Sequence, residues 1–121
     1  MKLMQYLHAR IRSFGFAFKG IGQLVATQPN AQIHLVATIV VVGMGFWCEV
    51  SRGEWCILLL CMALVWAAEA FNTALENLTD LVSPDYHPLA GKAKDVAAAA
   101  VLISAIFAAT IAAIIFVPYF I

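Results

Sequence analysis

The sequence predicts an all-α membrane protein: three transmembrane helices that follow an amphipathic helix lying on the membrane surface. Three observations predict it. Of 121 residues, 64% are hydrophobic and only 12% charged, against about 45–50% and about 25% in an ordinary soluble domain. Mean hydropathy is +0.91. Three apolar runs approach the length that crosses about 30 Å of hydrocarbon at about 1.5 Å per residue, and the basic residues gather on one side of them. One membrane domain, residues 1–121, holds all of this. The formal net charge of zero offers no basic surface for a nucleic acid.

The first element is predicted over residues 3–28. Ile11, Phe14, Phe18, Ile21 and Val25 recur at steps of three and four, while Arg12, Lys19 and Gln23 fall off that stripe. This is the pattern of a helix in the membrane interface. Gly15, Gly20 and Gly22 argue for irregularity within it. The same stretch, broken by Lys2, Arg10, Arg12 and Lys19, lacks the apolar core of a signal peptide. "TQPN" then turns the chain.

Residues 33–50 form the first predicted span and residues 55–82 the second, with the polar turn "EVSRGE" between them and Trp47 and Trp55 as interfacial flanks. The third span is predicted over 96–118, after the loop "SPDYHPLAGKAKD". Cys48, Cys56 and Cys61 lie in or beside apolar runs without metal-ligand spacing and read as small buried hydrophobes. Six of the seven basic residues, all but Arg52, fall on one side of these spans. The positive-inside rule assigns that side, and the N-terminus, to the cytoplasm.

Chemistry concentrates in "EAFNTALENLTD", Glu69–Asp80, which follows an uncharged run over 55–68. Glu69, Asn72, Glu76 and Asp80 fall within about an 80° arc of one helix face. Glu69 lies about 21 Å and Glu76 about 31 Å along the axis from Trp55, so the stripe descends from the hydrocarbon to the headgroups. A carboxylate at such depth costs about 2.5–3.5 kcal/mol and is by default a functional candidate. Lys92, Lys94 and Asp95 stand at the expected start of the third span, where free N–H groups favour anions. Carboxylates opposite lysines at a membrane surface suit a magnesium-bound nucleotide. The chain has neither a Walker A sequence nor a kinase glycine-rich loop.

These residues carry a resemblance. "EAFNTALENLTD" resembles the signature E-x-x-N-S/T-x-I/L-E-x-x-x-D of the small bacterial integral-membrane lipid kinases, the diacylglycerol kinase and undecaprenol kinase family. "YHPLAGKAKDVAAAAVLI" resembles that family's second block, and "FAFKGI" extends the likeness toward the N-terminus. The resemblance implies a homotrimer with shared active sites in the bacterial cytoplasmic membrane. It also implies ATP as co-substrate, Mg²⁺ as the metal and a membrane lipid alcohol as acceptor. By position, Glu76 would bind the metal, Glu69 would be the base for the lipid hydroxyl, and Asn72 would hold that centre together. Lys94 would bind the phosphates, with Asp95 and Asp80 at the nucleotide end and Lys19 and Arg12 closing over it. Where the family has a glutamate before the first span, this chain has Gln28, a neutral and weaker ligand. "NAQIHL", "EW" and "HPLA" look more like the undecaprenol branch than the diacylglycerol branch.

Removing a carboxylate from water strengthens it as a proton acceptor, which also suits Glu69 to the base role. His87 reads as a structural loop residue, and His34 as an interfacial residue with a satisfied ring nitrogen. Small residues repeat along Ser104, Ala108, Ala112 and along Ala105, Ala109, Ala113, rows that permit close helix contact between protomers. Burial between protomers is also expected to shelter Glu69. The competing class is a proton- or ion-conducting subunit with Glu69 and Glu76 as relay, but a relay needs ionisable groups across the whole bilayer, and the outer half of the second span has none. A purely structural protein leaves Lys94 and Asp95 beside the acidic stripe unexplained.

Overall fold

Four helices account for nearly the whole chain in the computed structural model, which describes all 121 residues. They are α1 (Lys2–Thr27), α2 (Pro29–Trp47), α3 (Arg52–Val82) and α4 (Pro88–Phe116), closed by a short 3-10 turn at Val117–Tyr119. There are no strands. The last three helices are each long and apolar enough to cross a membrane. Only 13 of 121 residues are buried within the chain, so most apolar side chains face outward, as they do when the surroundings are lipid or other helices.

α1 is one unbroken helix. Its glycines do not interrupt it, since each costs only about 1 kcal/mol relative to alanine. Its apolar stripe, with Ile11, Phe14 and Phe18, is exposed, and only Leu24 is buried. That is the face an interfacial helix offers to lipid. Gln28 breaks the line with extended backbone (φ −104°, ψ 113°), the conformation a following proline imposes. Pro29 then opens α2 at a position where its missing N–H is no loss. The first span therefore begins four residues before the expected 33. Side chains clasp the bend: Gln32 Nε2 donates to the Val25 carbonyl at 3.2 Å and Thr27 Oγ1 to the Gln23 carbonyl at 2.6 Å.

The α2–α3 turn is built from two caps. Glu49 takes a left-handed conformation (φ 51°). Its N–H and that of Val50 donate back to the carbonyls of Phe46 and Gly45 at 3.3 and 3.1 Å, a Schellman closure. Val50 then packs with Leu58, Ile115 and Phe116 in the chain's buried cluster. Ser51 caps α3 through a reciprocal box with Glu54, whose carboxylate also accepts from Tyr119 Oη at 2.7 Å. These contacts start the second span at Arg52 rather than Trp55. They give Glu54 a structural role.

Close approach decides one glycine. A Cβ on Gly45 would lie 2.5 Å from Trp55 Cη2 and 2.8 Å from its Cζ2. The ring also packs on Phe46, with centroids 5.0 Å apart. Gly45→Ala is expected to destabilise the protein by about 1–3 kcal/mol, the usual cost of overpacking. The readout is a lower unfolding temperature in detergent. Gly43→Ala, on the same helix with nothing within 4 Å, is the control.

α4 begins at Pro88, eight residues before the expected 96, because His87 caps it: His87 Nδ1 accepts from the Leu89 N–H at 3.1 Å. α3 and α4 pack most extensively against one another. The row Ser104, Ala108, Ala112 is turned inward, with Ser104 buried and the two alanines partly so, whereas Ala109 and Ala113 are exposed. Within the chain, Ser104 of the first small-residue row packs inward, and Ala108 and Ala112 border a groove between the helices. The cysteines depart from expectation as well. Cys56 is exposed, while Cys48, beside the buried cluster, and Cys61, at the edge of a groove between the helices, are only partly covered.

Candidate active site

The acidic face of α3 is graded in depth. Glu69 is 1% exposed and Asn72 is also buried, Glu76 is half-buried, and Asp80 is exposed one turn further on. Asn72 Nδ2 donates to Glu76 Oε1 at 3.2 Å. Asn72 Oδ1 is buried without a hydrogen-bond partner. A carboxylate and an amide thus lie one helical turn apart near the end of the span, the amide turned with its NH2 to the carboxylate and its carbonyl oxygen free.

Opposite them, Lys94 of α4 pairs with Asp80. Both side chains are substantially exposed, and such pairs contribute only about 0–1 kcal/mol, so a stronger anion can take the lysine. The early start of α4 places Lys92, Lys94 and Asp95 in its second turn rather than beside free N–H groups, which corrects the expected use of the helix terminus. Lys94 instead offers a point charge on a flexible stem.

The remaining sequence candidates are more scattered. Asp95 is exposed on α4, and Lys19 and Arg12 are exposed on α1. None of the three enters an ion pair within the chain. α1 meets α3 through its C-terminal half, where Gly20, Leu24 and Thr27 face Ala70, Thr73 and Asn77. Gln28 sits at the α1–α2 bend with its amide donating to Thr27 Oγ1 at 3.3 Å, and it is not bonded to Glu76. No three His, Cys, Asp or Glu side chains converge as a ready-made metal cage.

Sequence reasoning missed one neighbour of this site. His34, on α2, places Nε2 at 3.5 Å from Glu69 Oε2. Its ring is therefore not satisfied at an interface, as expected from its position. The pairing joins residues 35 apart in sequence (69 − 34), so helical spacing carries no signal of it. A groove of about 260 Å³ opens at His34, which walls it with Thr38, Leu58, Met62, Val65 and Trp66 among mostly apolar residues; Glu69 lies behind the histidine and does not line it. α3 and α4 thus bring together a buried carboxylate, a second carboxylate hydrogen-bonded to an amide, and a lysine held only by an exposed ion pair. Such a set can take a proton, coordinate a hard cation and bind an anion.

The family model for prokaryotic diacylglycerol kinase matches residues 15–116. The chain belongs to that family. It is 38% identical over 112 residues to the undecaprenol kinase of Bacillus subtilis, covering 93% of this chain and 91% of the relative. It is 37% identical over 107 residues to a diacylglycerol kinase of Synechocystis, covering 88% of this chain and 61% of that one. To the diacylglycerol kinase of Escherichia coli it is 32% identical over 98 residues, covering 81% and 80%. The protein is a membrane lipid kinase, a phosphotransferase with an alcohol acceptor, as the family resemblance implied. The three apolar helices of this kinase agree with a multi-pass membrane protein.

Proposed function

We propose that this lipid kinase transfers the γ-phosphate of ATP to the hydroxyl of undecaprenol, with Glu69 as the base. The observation that carries the reading is the burial of Glu69 against His34, which itself lines an apolar groove, at the inner end of a polar face that runs out toward Lys94 and Asp80. A long isoprenoid alcohol needs a groove and no headgroup pocket. It arrives through the bilayer and presents a primary hydroxyl near Glu69. Diacylglycerol is the second reading, favoured by the names of most of the relatives.

In the reaction the acceptor O–H proton passes to the Glu69 carboxylate while the oxygen attacks the γ-phosphorus. The bond from that phosphorus to the bridging oxygen breaks, and ADP leaves with the electron pair. Lys94 swings from Asp80 to the phosphates, and Asp80 and Asp95 shape the nucleotide end. Asn72 keeps Glu76 oriented through the hydrogen bond at 3.2 Å. The partnerless Asn72 Oδ1 and the Glu76 carboxylate one turn away are donors of the kind magnesium takes, which is one or two carboxylates plus phosphate oxygens. Glu76 and Asn72 would hold it, with Gln28 as a neutral supplement. When bound, the ion neutralises phosphate charge.

The active assembly in this reading is a homotrimer in the bacterial cytoplasmic membrane, its N-terminus cytoplasmic. The unpaired Arg12 and Lys19 on α1 are then available to a neighbouring protomer's nucleotide. Shelter for Glu69 is no argument for the trimer, because the single chain already buries it. The test is an assay of purified protein in mixed micelles with Mg–ATP and either undecaprenol or diacylglycerol. Higher kcat/KM for undecaprenol is expected. A clear preference for diacylglycerol reverses the acceptor assignment, and transfer to neither sinks the phosphoryl-transfer reading of this site.

A further inference from the structure

We propose that His34 is a positioning residue for the Glu69 carboxylate; the inference rests on Glu69 being the base of the lipid kinase reaction. His34 Nε2 and Glu69 Oε2 are both buried, neither has a hydrogen-bond partner, and they face each other at 3.5 Å. That separation is at the outer limit of a hydrogen bond, and a small rotation of the ring closes it. A buried polar atom left unpaired is destabilising, because it has given up its hydration for nothing. Mutual pairing is the contact that relieves both.

The indole that walls the ring is itself fixed between the two helices. Trp66 Nε1 donates to Thr38 Oγ1 at 2.9 Å, and Thr38 Oγ1 donates to the His34 carbonyl at 2.7 Å. The Trp66 indole also stands edge-on to the imidazole, with centroids 6.4 Å apart and planes at 68°. Trp66 precedes Glu69 by less than one turn of α3. The helix that carries the carboxylate therefore also carries the wall that orients its partner. A neutral imidazole protonated on Nε2 donates to Oε2 and leaves Oε1 for the acceptor hydroxyl. Without that donor the carboxylate swings on a flexible stem in an apolar setting, and a 1 Å misplacement of a reacting group costs on the order of 100-fold in rate.

Two substitutions separate positioning from space-filling. His34→Phe keeps the ring and removes the donor. His34→Gln gives up the ring and keeps an N–H at similar reach. Expected for His34→Phe is a fall of about 100-fold in kcat, with KM for ATP and for the lipid alcohol changed by no more than about twofold. His34→Gln is expected to retain most of the turnover. Equal losses in both variants, an unchanged kcat in His34→Phe, or an effect confined to lipid KM would each overturn the proposal. A second measurement does not depend on turnover. The ring-nitrogen NMR signals of isotope-labelled His34 are expected to move on Glu69→Gln, and unmoved signals mean that the two residues are not paired. Inactivity of the wild-type protein toward every lipid alcohol would remove the premise about Glu69, while the NMR comparison would still decide the pairing.

Discussion

Glu76→Gln is expected to lower turnover by about 100- to 1,000-fold, the usual loss when a group that stabilises developing charge is removed. Phosphoryl transfer has little covalent work for the protein to do, so positioning and charge neutralisation supply nearly all of the acceleration. Glu76 is the half-buried carboxylate of the site, and Asn72 Nδ2 already holds one of its oxygens at 3.2 Å. Glutamine keeps an oxygen that accepts from Asn72, so the fold around it survives. The substitution removes a charge and nothing else of consequence. The measurements are kcat, the magnesium concentration for half-maximal rate, and the unfolding temperature of the same preparation. A shifted magnesium titration with an unchanged unfolding temperature is the expected combination. Wild-type turnover in the variant would take Glu76 out of the metal site.

Glu69→Gln is expected to stop turnover and stabilise the protein. The loss follows from the base role: general-base catalysis typically supplies about 100- to 10,000-fold, and an amide cannot take the hydroxyl proton. The gain in stability follows from burial. Glu69 is 1% exposed, and its neighbour His34 stands just outside good hydrogen-bond geometry. A buried charge without full compensation is a standing cost that a neutral isostere removes. The amide has the shape of the carboxylate and leaves an oxygen facing His34 Nε2, so little packing is lost. Activity and unfolding temperature should therefore move in opposite directions, as they do where a site carries strain for function. A variant that keeps its turnover would eliminate Glu69 as the base. One that unfolds earlier than wild type would show the carboxylate to be structural.

Much of the helical layout was legible because it depends on neighbours three and four residues away. The stripe of Ile11, Phe14 and Phe18 anticipated an exposed amphipathic helix, and the apolar runs anticipated helices able to span a membrane. The helix ends were less legible. Pro88 read as a loop residue, yet a cap by the His87 ring makes it the first residue of α4. That cap moved Lys94 from a helix terminus into a helical turn and changed the origin of its affinity for anions from backbone dipole to side-chain charge.

The acidic stripe itself was determined by the sequence alone. Glu69, Asn72, Glu76 and Asp80 share a face because 3.6 residues make a turn, whatever packs around them. The graded burial along that face belongs to tertiary structure, since it depends on how α2 and α4 lie against α3. So does the inward turn of Ser104, Ala108 and Ala112, because a small-residue row permits close packing without naming the partner. The meeting of His34 with Glu69 was decided the same way. Local periodicity places each residue on its own helix, but only the crossing of α2 and α3 brings an imidazole nitrogen within 3.5 Å of a buried carboxylate.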